Sequence, residues 1–152
     1  MTDREIYEQV RGPLMRFAAS LVGAQDAGDL VSDAVVATLR NRSLASLDNP
    51  QAYLMQAVLN HARSYGRRAR RERSALTRLT TGPPVVDPAA IVRPDVARTV
   101  ADLPLRQRAA VHLVYWEDLT TSHAANLLGV RPATLRRYLH LARQKLRRHL
   151  DE

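Results

Sequence analysis

The chain of 152 residues contains no cysteine. Disulfides, thiol catalysis and cysteine-based zinc sites are therefore excluded. Lysine is nearly absent too, with one Lys against 22 Arg, and aromatic residues make up only 5% of a chain that is 45% hydrophobic. Any core must be assembled mainly from Leu, Val and Ala. No apolar run approaches the roughly 18 residues that suggest a membrane span, so no membrane insertion is expected. The start, MTDREIYEQV, is acidic and lacks the apolar segment of a signal peptide. A soluble protein of the cytoplasm is the expectation. The histidines (His61, His112, His123, His140 and His149) show no metal-ligand spacing backed by carboxylates, so neither a metal nor a cofactor is expected. Internal repeats and period-two strand patterns are also missing.

What is present is positive charge and helical periodicity. The net charge is +8, and its distribution is uneven. Residues 1–73 carry 11 basic and 8 acidic groups, 74–94 carry 2 and 1, and 95–152 carry 10 and 6. Two clusters stand out. Residues 63–73, RSYGRRARRER, hold six Arg against one Glu, and residues 129–150 hold seven basic residues and no acid. Two separate basic clusters fit a polyanion touched at two places. They also fit two solvated helix ends.

Apolar spacings of three and four predict helices over 3–21, 27–41 and about 50–72, with Asp26 a candidate N-cap of the second. The break LASLDNP precedes the third, where Asn49 or Asp48 stands before Pro50 at a favoured first helical position. Residues 74–94 hold four of the eight prolines, including a Gly-Pro-Pro. They read as a Pro-rich flexible linker that, fully stretched, spans roughly 60 Å. Helical patterns return over 95–103, 105–116, 121–128 and 132–150. The predicted fold is all-α: a helical bundle over 1–73 and a smaller helical domain over 95–152, joined by the 74–94 linker.

In the second domain Thr120 or Thr121 caps a short helix with a small-residue inner face, Ala124, Ala125 and Leu128. Gly129 supplies the positive φ of an abrupt stop, Val130 plugs the angle, and Pro132 starts a longer helix. Leu135, Leu139, Ala142, Leu146 and Leu150 form one stripe of that helix, and Arg137, Gln144 and Arg148 lie nearly opposite it. Helix, glycine turn and basic helix is the helix-turn-helix arrangement, whose second helix enters the major groove of DNA with its first turns against the base edges. Thr134, Arg136, Arg137 and His140 occupy those turns. Arg143, Arg147 and Arg148 stand further along, at the range of phosphates.

The ordered pattern Leu103-Pro104-x-Arg106-Gln107-Arg108, Tyr115-Trp116-Glu117-Asp118-Leu119-Thr120, Ala125 to Gly129, Thr134-Leu135 and Leu139 to Ala142-Arg143 resembles domain four of bacterial extracytoplasmic-function (ECF) sigma factors. Independently, DAGDLVSDAVVATL and NPQAYLMQAVLNHARSYGRRARR resemble that family's polymerase-binding segment and promoter-melting helix. The two resemblances cover roughly residues 10–73 and 95–148. They imply a non-enzymatic subunit that binds core RNA polymerase and promoter DNA, and they allow an anti-sigma factor as a further partner. They imply that the linker threads near the polymerase active centre.

Residue by residue, the resemblance implies polymerase contacts at Asp29, Leu30, Ser32 and Asp33, with Ser32 and Gly28 departing from the usual Gln and Glu. It implies minus-10 contacts at Asp48 and Asn49 of the 43–49 loop and at Tyr53, Asn60, Arg63, Arg67 and Arg68. Tyr53 replaces the usual Trp, and Ser64 replaces a usual Asp. Tyr53 either stacks on an unpaired base or belongs to the core. Minus-35 contacts are implied at Arg131, Thr134, Arg136, Arg137, His140 and Arg143. Tyr138 and Leu141 stand where the family often has Arg.

Two rival readings share part of this pattern. A free-standing helix-turn-helix regulator, or a sigma-like polymerase adaptor, uses the same basic helix but needs no acidic stripe paired with a Tyr53–Asn60 helix. A nucleic-acid-processing enzyme would need a carboxylate pair, a Ser–His arrangement or a phosphate-cradling loop, and none is present in the sequence.

Overall fold

A computed structural model describes the backbone of residues 1–77 and 94–150, with side chains described for 1–65, 96 and 98–148. The described elements are α1 (Asp3–Val22), α2 (Ala24–Leu39), a 3-10 turn (Leu44–Ser46), α3 (Pro50–Thr77), α4 (Pro94–Ala101), α5 (Leu105–Val111) continued by a π turn (His112–Trp116), α6 (Thr121–Leu128) and α7 (Pro132–Leu150). No strand occurs among the described residues. This is the all-α, two-region architecture that the periodicity predicts.

Helices α1, α2 and α3 pack against one another as the first unit. Thr2 caps α1, its Oγ1 accepting from the Glu5 N–H at 3.2 Å. The inward stripe of α1 is Ile6, Leu14, Phe17, Ala18 and Leu21, all buried. It meets Leu30, Val31 and Ala34 of α2 and Leu54, Met55 and Val58 of α3 in one cluster. The sequence expectation that Asp26 caps α2 is corrected. Gly23, at φ 94°, sits between the two helices, donating its N–H to Ala19 and starting α2 without a side-chain cap. Only a residue without Cβ turns the chain this way at little cost, so α2 begins at Ala24 and Asp26 falls in its first turn. The ambiguity before Pro50 resolves to Asn49, whose Oδ1 accepts from the Ala52 N–H at 3.1 Å. Helix α3 runs on to Thr77, into the segment read as linker, and α4 begins at that segment's last residue. Residues 78–93, the remainder of that reading, lie outside the described residues.

The second unit, α4 to α7, has a core rich in alanine: Ala109, Ala110, Ala124, Ala125 and Ala142 are buried with Leu103, Leu113, Leu135 and Leu139. The π turn widens the end of α5, and Asp118 follows it at φ 55°, the one positive-φ residue other than glycine among the described residues. The sequence pattern gave no sign of how the two units relate. In the structure they share one hydrophobic cluster, with α5 against α1 and α6 against α3. Arg16 Nε of α1 donates to Glu117 Oε1 at 2.7 Å, and Arg108 Nη1 donates to the Leu21 carbonyl.

Candidate promoter and polymerase interface

The helix-turn-helix forms as its local chemistry dictates. Thr120, not Thr121, is the cap of α6, its Oγ1 accepting from the His123 N–H at 3.1 Å. Gly129 ends the helix at φ 69°, and Val130 donates back to the Ala125 carbonyl at 3.0 Å, the Schellman pattern. A Cβ at Gly129 would lie 3.0 Å from the Gln56 side chain of α3, so glycine is needed there for space as well as for conformation. On α7, Leu135, Leu139 and Ala142 face the core while Arg131, Arg136, Arg137 and His140 are exposed and Thr134 is half-buried. Arg147 and Arg148 are exposed further along the same helix.

Arg143 has a partner that the spacing did not reveal. Its Nε donates to the Tyr115 hydroxyl at 2.6 Å, and its guanidinium lies 5.5 Å from the centre of that ring. Tyr115 and Trp116 are 52% and 62% exposed, so they form an aromatic surface beside α7 rather than core. Tyr138 and Leu141 line a cleft with Arg63 of α3 and with Leu105 and Gln107. Both side chains therefore face the boundary between the units.

On α2, Asp29, Ser32 and Asp33 are exposed along one face. Leu30, named with them by the resemblance, is corrected. It lies about 100° round the helix from Asp29, is fully buried, and packs in the core. Its role is therefore to seat the helix. Val36, one further turn along the acidic face, is half exposed and extends that surface with an apolar group. Tyr65 of α3 donates its hydroxyl to Asp29 Oδ2 at 3.3 Å. Burial, with the negative charges of Asp29, Asp26 and Asp33, pushes that phenol up to about 12, so it remains a donor at neutral pH.

On α3, Tyr53 is 38% exposed, which settles the alternative of core against surface in favour of surface. The Arg42 guanidinium lies 5.6 Å from its ring centre. Asn60 and Arg63 are exposed on the same helix. The 43–49 loop is held from both sides: Leu44 is buried, and the Ala45 N–H donates to Asp3 Oδ1 at 3.1 Å. Asp48 and Asn49 are exposed at its end, but one oxygen of Asn49 is engaged in capping α3. The side chains of Arg67 and Arg68 lie outside the described residues.

At the boundary, Glu117 lies between Arg16 and His112. The Arg16 hydrogen bond, above all, holds the Glu117 carboxyl below its ordinary range, and the same contact raises Arg16. His112 Nε2 stands 3.3 Å from Glu117 Oε1 but without hydrogen-bond geometry. Burial dominates and pushes the imidazole down, so His112 is neutral at pH 7. Its ring tilts against Phe17, with centroids 6.0 Å apart. Among the described residues no group of three His, Cys, Asp or Glu is placed to hold a metal, and no helix is long and apolar enough to cross a membrane.

Comparisons with known proteins match this division of the chain. The family model for sigma-70 region 2 matches residues 6–72, and the model for sigma-70 region 4 matches residues 94–146. The fold is similar to the sigma factor RpoE solved in complex with the anti-sigma factor NepR from Bartonella quintana, at TM-score 0.68 and 23% identity over 97% of this chain and 96% of that one. It is also similar to CnrH solved in complex with the cytosolic domain of CnrY, at TM-score 0.64 and 21% identity over 98% and 87%. A search of curated proteins finds no match. With both sigma-70 regions matched in order over most of its length, the chain belongs to the sigma-70 family, whose members direct the initiation of transcription.

Proposed function

We propose that this sigma factor works through three surfaces: the Asp29–Ser32–Asp33 face of α2 for core RNA polymerase, the Tyr53–Asn60–Arg63 side of α3 for the minus-10 strand, and the first turns of α7 for the minus-35 duplex. The observation that carries the reading is the two-sidedness of α7. Leu135, Leu139 and Ala142 fix the helix against the core, and this leaves Arg136, Arg137 and His140 exposed where a major-groove helix meets base edges. Arg there can read guanine with two hydrogen bonds, worth about 1–3 kcal/mol of discrimination. On α3 the exposed Tyr53 ring offers a stacking face for an unpaired base. Arg42 beside it, a residue that the sequence pattern did not single out, is placed to meet a neighbouring phosphate.

The acidic face of α2 is proposed to pair with a basic surface of the polymerase. Only Asp26 lies in the first turn of α2, where an acid steadies the helix dipole, and Asp29 and Asp33 lie beyond it. The cytoplasm, where polymerase and promoters are found, is the proposed place of action. An anti-sigma factor is proposed as a further partner, since the sigma factor RpoE, of similar fold, was solved bound to one.

Run-off transcription with purified core polymerase on genomic fragments tests this reading. Specific transcripts are expected only when chain and core are both present, with weak duplex binding by the chain alone. Tight sequence-specific DNA binding without polymerase, and no transcripts with it, would instead identify a free-standing regulator.

A further inference from the structure

Arg143 lies on the reading stripe of α7, although it stands beyond the first turns. Seven residues separate it from Arg136, so the two are within about 20° of each other around the helix and about 10 Å apart along it. His140 lies between them, and all three are exposed. A duplex that places base edges at Arg136 therefore brings its backbone toward Arg143. The arginines differ in one respect. Neither Arg136 nor Arg137 has a side-chain partner among the described residues, whereas Arg143 is held by Tyr115.

The holder is fixed by the turn before α6. The π turn His112–Trp116 closes with the Glu117 N–H donating to the His112 carbonyl at 3.0 Å. His112 and Leu113 are buried just before Tyr115, and Glu117 is paired with Arg16 just after it. The backbone at Tyr115 is thus pinned from both directions while its side chain stays exposed. Turns of this kind are frequent at functional sites. The Tyr115 hydroxyl accepts from Arg143 Nε at 2.6 Å. That bond leaves free the N–H groups on the two terminal nitrogens of the guanidinium, an edge able to grip two oxygens of one phosphate. Because both side chains are exposed, the bond replaces bonds to water and adds little to folding. Its consequence is order. A free arginine loses rotamer freedom on binding, and Arg143 has given up much of that freedom beforehand.

We propose that Tyr115 is a positioning residue for promoter binding: it holds the Arg143 guanidinium with its terminal edge toward one backbone phosphate of the minus-35 duplex. Tyr115 reads no base and acts through Arg143. The proposal rests on the minus-35 assignment of α7 made above, and it adds to that surface a residue from outside the helix-turn-helix.

The test is a double-mutant cycle in holoenzyme. Binding to a promoter fragment recovered by run-off is followed by fluorescence anisotropy over a salt series. The proteins are the wild type, Tyr115→Phe, Arg143→Ala and the two substitutions combined. Arg143→Ala should weaken binding about tenfold at low salt and reduce the slope of log affinity against log salt by about 0.9, as loss of one phosphate contact requires. Tyr115→Phe removes no charge. It should nonetheless weaken binding about threefold and flatten the same slope, evenly across minus-35 variants. The combined variant should match Arg143→Ala within about twofold. A merely destabilised chain would lower the active fraction without moving the slope. Wild-type affinity and slope in Tyr115→Phe overturn the proposal, and so do losses that multiply in the combined variant. Arg136→Ala separates this proposal from the assignment beneath it. If Arg136→Ala weakens binding and neither Arg143→Ala nor Tyr115→Phe does, the positioning role fails alone. If none of the three has an effect, the minus-35 assignment fails with it.

Discussion

The two units bury their cores differently. The first is filled by large side chains from three mutually packed helices: Leu14 and Phe17 of α1, Leu30 of α2, and Leu54 and Met55 of α3 are all buried. The second relies on alanines, a π turn and short helices, and several of its apolar groups, Leu105, Val111, Val114 and Tyr138 among them, complete their packing only in the common cluster. Alanine lets helices cross closely but removes little apolar area from water, at roughly 25 cal/mol per Å². The helix-turn-helix domain therefore leans on the first unit, and the dependence should run one way.

The largest expected effect tests that asymmetry. Phe17→Ala removes a fully buried ring that touches both units, at a cost of about 3–5 kcal/mol. Amide exchange should accelerate in α1–α3 and in α5–α6 together. Leu139→Ala, in the second unit, should cost about 2–5 kcal/mol and accelerate exchange in α4–α7 while leaving α1–α3 protected. Equal spread from both substitutions would make the two units one cooperative block.

Next in size is the contrast between surface and core on α2. Asp29→Arg with Asp33→Arg reverses two exposed charges and should abolish co-purification with core polymerase while leaving the helical circular dichroism unchanged. Wild-type recovery of the complex would make that stripe a solvated helix face.

A smaller effect comes from the boundary itself. Unfolding frees His112 to take up a proton near its ordinary 6.5, but burial in the folded state, the major cause, holds its value lower. Arg16 on α1 and Glu117 on the chain after the π turn are the charged groups facing it, and their effects on the imidazole oppose each other. Stability is thus unaffected by this group well above pH 6.5 and falls as pH drops below it. Glu117, held below its ordinary 4.5 chiefly by Arg16, contributes stability above that value, and the contribution is lost as pH falls further. Both act in one direction, so acid should loosen the boundary. Melting followed from pH 7.5 to 5 should show a modest decline that His112→Phe removes; a decline unchanged in that variant would place the sensitivity elsewhere.

The same comparison explains what was legible in the sequence. Helices α6 and α7 were, to the residue, because a capping Thr, a positive-φ glycine and Pro132 are local instructions that no distant contact overrides. The start of α2 was misread because Asp26 resembles a cap, whereas Gly23 had already turned the chain. The end of α3 was placed too early although residues 73–77 contain no breaker and the next Gly-Pro signal comes only at Gly82. Leu30 was grouped with its acidic neighbours by the family resemblance, although a helix separates adjacent residues by about 100°. The boundary was invisible for a deeper reason. An apolar stripe says that a face is buried but not against what, and Arg16, Gln56 and Glu117 find their partners 71 or more positions away.

The most direct test of the functional account returns to α7 and its two ends. Run-off output with core polymerase should be ranked across a panel of minus-35 variants for the wild type, Arg136→Ala, Arg137→Ala and the double variant Arg147→Ala with Arg148→Ala. The early substitutions should reorder the panel, since base contacts carry sequence information. The late pair should lower output evenly or leave it unchanged, with any loss shrinking as salt is raised, because a chain with fewer phosphate contacts has the shallower salt dependence. A panel whose order survives both early substitutions would contradict base reading by the first turns of this helix.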